Sequence, residues 1–290
     1  MKCIRLLAIL VNPLFALQAF AQEAVSPPRT SLETSSETFT ACTSRHRALA
    51  EGPVGIGYGD VDFATGRRAC PRTEVGLGIQ AGAIIDTPDF YGDIAVGGRL
   101  FGSLALTPHL ELFAALEAAH LEYAQNASLK GTRLSLGQAT LGGTYVAYQA
   151  GPLAVSPSAR LLLPTATGTS VRTVGAELGV AATLRANRSF EFHGYAGANF
   201  SAGLSPAAAF PRVGVLALAG LQYSPCSGFA AALDVDAHFL SVSALDYLAP
   251  QLALRFRFSE SLGLEIAGSL PLAGTDRHDG LVGLKLTHRL

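Results

Sequence analysis

Val174-Gly-Ala-Glu-Leu-Gly-Val-Ala-Ala-Thr-Leu-Arg185 decides the fold. Its even positions, Val174, Ala176, Leu178, Val180, Ala182 and Leu184, are all apolar, while Glu177, Thr183 and Arg185 fall on the odd ones among Gly and Ala. A period of two sends every charge to one face of a strand; a helix would scatter them around its axis. The same alternation sets Leu110, Leu112, Ala114 and Leu116 against Glu111, Phe113, Ala115 and Glu117. It returns where Phe229, Ala231, Leu233, Val235, Ala237 and Phe239 oppose Asp234, Asp236 and His238. The rule weakens at 134–149, where Leu134 and Leu136 share one parity and Leu141 and Tyr145 take the other.

Working outward, the pattern predicts strands over 75–85, 94–106, 110–123, 134–149, 153–163, 174–186, 190–200, 213–223, 228–239, 248–258, 262–270 and 280–290. Alternate links are tight, as at Thr107-Pro108-His109, Ala150-Gly151-Pro152, Asn187-Arg188-Ser189, Ser224-Pro225-Cys226-Ser227 and Ser259-Glu260-Ser261. The links between them, 86–93, 124–133, 164–173, 201–212, 240–247 and 271–279, are longer. Strands with apolar-out, polar-in alternation, joined by short and long links in turn, are the signature of a transmembrane up-and-down barrel. The expectation is therefore an all-β, antiparallel transmembrane β-barrel of about 12 strands over 73–290. Aromatics near the strand ends predict two interfacial girdles. One holds Phe90, Tyr91, Tyr123, Phe200, Phe210, Phe239 and Tyr247, the other Tyr148, Phe190, Phe192, Tyr223, Phe229, Phe256 and Phe258.

Composition agrees. The chain is 49% hydrophobic with mean hydropathy +0.32, yet after the first residues no apolar run is long enough for a spanning helix. A net charge of -1 argues against a nucleic-acid partner. At the start, Lys2 and Arg5 precede an apolar stretch from Leu6 to Ala19, and Ala19-Phe20-Ala21 gives a small-residue cleavage site before Gln22. Residues 1–21 read as a signal peptide, which sends the rest out of the cytoplasm. Residues 22–72 form a different region: Ser, Thr and Pro first, then Ser44-Arg45-His46-Arg47, then Val54-Gly-Ile-Gly-Tyr-Gly-Asp-Val-Asp-Phe63. We expect this segment to be periplasmic, and either partly disordered or inserted in the lumen as a plug. Its GIGYG is no phosphate loop, having neither GK[ST] nor a βαβ context. An oxidising compartment favours a Cys42–Cys70 disulfide, with Cys226 paired to one of them as the alternative. The cysteine and histidine spacings give no metal site, and no cofactor is expected.

The inner parity collects Arg99, Arg160, Arg185, Arg255, Arg257, Lys285 and Arg289 against Glu74, Glu111, Glu117, Glu177, Glu191, Asp234, Asp236 and Glu265, with His238 beside the aspartates. Two readings stand: a paired network that rigidifies the interior, or charges that line an aqueous path and tune solute choice. Asp234 and Asp236 are expected to form a cross-strand ladder with Arg255 and Arg257. His120 and His288 fall near the lipid parity at opposite ends, without the serine pairing that lipid hydrolysis would need, so no enzyme is expected.

Arg160-Leu-Leu-Leu-Pro-Thr-Ala-Thr-Gly168, an alternating strand, an Asn-Arg-Ser turn and Phe192-His-Gly-Tyr-Ala-Gly-Ala-Asn-Phe200 together resemble the transporter-like outer-membrane barrels identified as meta-pathway phenol-degradation proteins. The closing Leu284-Lys-Leu-Thr-His-Arg-Leu290 resembles the terminal signal read by the barrel-assembly machinery, with Leu290 where that signal usually carries Phe or Trp. The resemblance implies a passive channel or transporter-like pore for small solutes, hydrophobic ones included, in the bacterial outer membrane with its N-terminus periplasmic. It implies outer-membrane lipid, a small-molecule solute and the assembly machinery as partners. The alternative is a non-conducting structural or adhesion barrel whose external loops bind a partner.

Overall fold

The computed structural model describes Cys42 and residues 67–86, 91–125, 130–167, 173–204, 212–226, 228–240, 244–274 and 279–290. The expected signal peptide, the basic patch at 44–47, the GIGYG stretch, and Phe90 and Phe210 lie outside these residues. The first strand segments are β1 (Glu74–Asp86), β2 (Tyr91–Ala105), β3 (Leu110–Gln125), β4 (Lys130–Ser135), β5 (Ala139–Tyr145) and β6 (Tyr148–Ala150). β7 (Leu153–Leu163), β8 (Thr173–Arg185), β9 (Phe190–Gly203) and β10 (Arg212–Cys226) follow. β11 (Phe229–Leu240), β12 (Ala244–Arg257), β13 (Leu262–Ser269) and β14 (Gly280–Arg289) complete the wall.

β4, β5 and β6 run end to end between β3 and β7 as one crossing. The segments therefore make twelve antiparallel crossings, and pairing of β14 with β1, from Glu74↔Arg289 to Ala83↔Gly280, closes them into a barrel. Closure joins the two ends of the sheet, and the interrupted crossing is the exception, with β4 paired only to β3 and β6 only to β7. Below, the near end is the rim with the start of β1 and the end of β14; the opposite rim is the far end.

The outer face is a continuous apolar surface. Leu178 is 66% exposed and Leu134 72%, and Val75, Leu77, Ile79, Leu100, Leu161, Val215, Leu252 and Leu284 stand out with them. A water-soluble domain does not expose a patch of that extent, whereas a wall in lipid must. Phe190, Phe192 and Tyr223 are exposed at the near end and Phe200 and Phe239 toward the far end, as girdle residues should be. Phe229 is buried against that expectation, and so is Tyr247. It is 3% exposed and its hydroxyl donates to Asp236 Oδ2 at 2.6 Å inside the barrel.

The parity break at 134–149 has a structural cause. Gly137 and Gln138 leave the ladder, with Gly137 N donating to Glu117 O and Glu117 N to Gln138 O. The faces invert across this break, so Ser135 is buried on β4, Thr140 and Thr144 on β5, and Leu134 and Leu141 both look outward. A Cβ on Gly137 would run into Glu117, its own Cβ included, so only glycine fits. The residues that follow β7 fill the break: Thr165 Oγ1 accepts from Ala139 N at 2.7 Å and donates to Gly137 O at 3.1 Å, and Thr167 N donates to Leu136 O at 2.8 Å. The Leu-Pro-Thr run thus stops a strand and repairs its neighbour.

The far-end links correct a second expectation. β1 and β2 stay paired to Asp86↔Tyr91, β3 and β4 to Gln125↔Lys130, and only 241–243 separate β11 from β12. Polar residues that look like loop in the sequence continue the ladder past the apolar band, where water does not oppose pairing. Short and long links therefore alternate clearly only at 164–172, 204–211 and 270–279.

Candidate functional site in the barrel lumen

Cys42 and residues 67–72 lie inside the wall. Cys42 and Cys70 are joined by a disulfide. Cys42, 2% exposed, and Ala69 pack against inward Ala154, Ala181, Tyr195, Leu216 and Leu218 of β7–β10, and Ser156 Oγ donates to Ala69 O at 2.6 Å. Two consecutive arginines then reach opposite parts of the wall. Arg67 forms a forked pair with Glu177 on β8, Nη2 to Oε2 at 3.0 Å and Nε to Oε1 at 3.3 Å. The Tyr195 hydroxyl donates to the same carboxylate at 2.7 Å, and Arg67 stacks 5.3 Å from the Tyr195 ring centroid. Arg68 takes Glu74 on β1 at 2.6 Å, Ser103 on β2 at 2.8 Å and Glu111 on β3 at 3.0 Å. Burial alone disfavours the charged Arg68 guanidinium, but Glu74 and Glu111 reverse the balance and hold its pKa above the ordinary arginine value. Arg72 N donates to Glu111 Oε2 at 2.6 Å before the chain enters β1.

The remaining inward charges are arranged by register. Arg160 stands opposite Glu177, 3.7 Å away, and Arg185 opposite Glu191 at 3.4 Å. Arg99 faces Glu117 across β2 and β3, and all six are buried. Arg255 pairs with Glu265 at 2.6 Å and also donates to Gln222 Oε1. Lys285 lies 5.2 Å from the Phe101 ring centroid. Asn199 Nδ2 and His238 Nε2 are 3.0 Å apart.

The aspartate–arginine ladder does not form. β11 and β12 pair so that Asp234 faces Gln251 and Asp236 faces Ala249, while Arg255 faces Ala230. The acids lie deeper in the barrel than the arginines. Asp234 pairs with His193 at 2.8 Å, Asp236 accepts from Tyr247, and Arg257 turns to Ser259 O at 2.8 Å and Glu260 O at 3.2 Å in the near-end turn. His288 is exposed on the outer face, with Val75 and Leu262 opposite it; the side chain of His120 lies outside the described residues. Among the described residues, no three His, Cys, Asp or Glu side chains come together as metal ligands.

Sequence reasoning passed over Arg67, Arg68, Tyr195, Gln222 and His193. One signal was there: the inner parity holds more acids than bases, and Arg67-Arg68 stand next to the cysteine of the lumen-bound loop.

With the geometry set out, comparison is informative. The chain is similar to an outer membrane channel from Pseudomonas putida F1, with a TM-score of 0.58 and 14% identity over 79% of this chain and 100% of that one. The fold is that of outer-membrane β-barrels. The KdgM porin in complex with disordered oligogalacturonate (TM-score 0.50, 8% identity, 74% and 99% covered) and the NanC porin (0.50, 10%, 75% and 100%) share it. No family model and no curated protein matches the chain.

Proposed function

We propose that this protein is a narrow passive pore of the bacterial outer membrane, closed or constricted by its own N-terminal segment, that admits small solutes. The observation that carries this reading is the plug itself. Cys42 and residues 67–72 sit inside the closed barrel, held by two arginines on carboxylates of the wall and by a small apolar cluster around Cys42 and Ala69. Ion pairs and hydrogen bonds to a polar wall can be exchanged for water, and the apolar contact is confined to the small cluster around Cys42 and Ala69, so such a plug is able to leave or shift. The near end then faces the periplasm, where the N-terminal segment remains after export and its disulfide forms. Outer-membrane lipid covers the wall, and the barrel-assembly machinery inserts it. The charged inner face favours polar over hydrophobic solutes in the lumen. The residues that line it are those that alternate inward: Arg99, Glu111, Glu117, Arg160, Glu177, Arg185, Glu191, Asp234, Asp236, His238, Arg255, Arg257, Glu265 and Lys285.

A non-conducting structural or adhesion barrel is the second reading, favoured by how completely most of these charges are buried. Liposome swelling separates the two. Proteoliposomes of the full chain should admit small neutral and charged solutes faster than empty vesicles. Vesicles that stay as tight as controls, with both the native chain and Arg67→Met/Arg68→Met, would overturn the pore.

A further inference from the structure

The outer wall is not smooth. Across β5, β7 and β8 it carries a groove of about 640 Å³. The groove lies where the ladder is interrupted beside Pro157, a residue with no N–H to give a neighbouring strand. β5 pairs with β7 from Ala139↔Leu163 to Thr144↔Ser158 and stops there, and pairing resumes at Tyr148↔Val155 on β6. In the gap, Val146 N donates to His109 O at 2.8 Å and Ala147 N to Val155 O at 3.1 Å. Pro157, Ala159 and Gly143 form the floor, because none of them raises a tall side chain. Leu178 and Val180 of β8, opposite Ala159 and Pro157 in register, stand on one side, with Tyr145 and Leu110 on the other. Tyr145 is 53% exposed and Val180 47%, so the groove opens outward, on the face that lipid covers.

We infer that this groove is a binding site for one acyl chain of a phospholipid in the leaflet at the near end. The inference stands on the outer wall and is independent of whether the lumen conducts.

Place, size and direction select that occupant. The groove lies within the apolar wall, where the surrounding medium is hydrocarbon and water does not compete. An engineered protein cavity of about 150 Å³ takes benzene, and this groove, roughly four times larger, has room for most of an acyl chain. Leu110 and Tyr145 sit beside the near-end turn at 107–109, whereas Val180 and its partner Ala196 lie well inside β8 and β9. The groove therefore runs from the near-end interface into the wall, as a lipid chain does. Tyr145 at its mouth is a ring of the kind that settles at headgroup level. A chain in the groove is touched on three sides, and one against flat wall on a single side. Dispersion gains add with each atom pair in contact, so the groove holds a chain longer than its surroundings do.

Photolabelling tests this with the full chain in vesicles of phosphatidylethanolamine and phosphatidylglycerol. A trace of the phosphatidylethanolamine carries a diazirine midway along one acyl chain, and mass spectrometry reads the label by residue. Positions 143–145, 157–159 and 178–180 should take roughly threefold more label than Leu233 and Leu252, which are equally exposed on β11 and β12. Ala159→Phe fills the floor from the lipid side and should remove that excess. Val282→Phe, on the outer face of β14, should leave it unchanged. Heat-modifiable gel mobility reports whether each variant has folded. If Ala159→Phe has not, Ala159→Leu makes the same test with a smaller drop. Label spread evenly over the native outer wall, or an excess that persists when the floor is filled, overturns the inference. So does a groove shielded from label and cross-linked through position 159 to a second copy of the chain, because the occupant is then protein.

Discussion

Arg67→Met is the most informative single change. Arg67 and Glu177 are 3% and 6% exposed, with two nitrogen–oxygen contacts of 3.0 and 3.3 Å, so the pair is shielded from water. Removing one partner of a buried pair leaves a desolvated charge and costs about 3–5 kcal/mol. Glu177 would keep the Tyr195 hydroxyl at 2.7 Å and Arg160 at 3.7 Å, so the cost should sit near the lower value, roughly 3 kcal/mol. At about 1.4 kcal/mol per factor of ten, the undocked plug becomes on the order of 100-fold more populated. Trypsin acting on the protein in proteoliposomes reads that population, because cleavage after Arg68 or Arg72 needs the segment out of the wall and its rate follows the open fraction when reclosing is fast. In a Glu177→Gln background the same arginine change should cost about 1 kcal/mol or less, since the carboxylate it neutralises is gone. Cleavage of Arg67→Met within twofold of the native rate would refute the reasoning. So would full additivity of the two changes.

Other expectations follow from the same contacts. Tyr195→Phe removes a hydrogen bond to a carboxylate and should lower stability by about 1.5–3 kcal/mol, read as the urea midpoint of barrel unfolding. Gly137→Ala pushes on Glu117 at the break between β4 and β5 and should cost about 1–3 kcal/mol in that assay. Arginine in place of Leu178, on the lipid face, should destabilise the barrel by roughly 2–4 kcal/mol, with the loss reported by reduced membrane insertion. Reduction of Cys42–Cys70, which closes a loop of sequence separation 28, should weaken plug docking by about 3–4 kcal/mol and raise tryptic cleavage accordingly.

The wall was legible because its information is local. Each crossing alternates within itself, so Val174–Arg185 announces a strand with Glu177 and Arg185 inward without reference to any neighbour. What could not be read was register between strands. Asp234 and Arg255 share a face in the sequence, but the pairing of β11 with β12 sets Asp234 opposite Gln251 and Arg255 opposite Ala230. Asp234 reaches His193 across Gly220 of β10, which stands opposite both and has no side chain to part them. The plug is the other limit. Arg67 and Arg68 follow no periodicity, and their partners lie 110 and 43 residues away in sequence. Only a surplus of inward acid on the wall signalled that cations had to arrive from elsewhere. The inversion at 136–138 shows the reverse case, where a failure of alternation in the sequence marked a real break in the ladder.

Single-channel conductance tests the central claim most directly. The claim is that a polar path through this barrel is obstructed by residues 22–72 held on Glu177, Glu74 and Glu111. The full chain should show small steps or brief openings, and a chain lacking 22–72 should show a several-fold larger, steadier step. Equal conductance from the two proteins, or none from either, would contradict it.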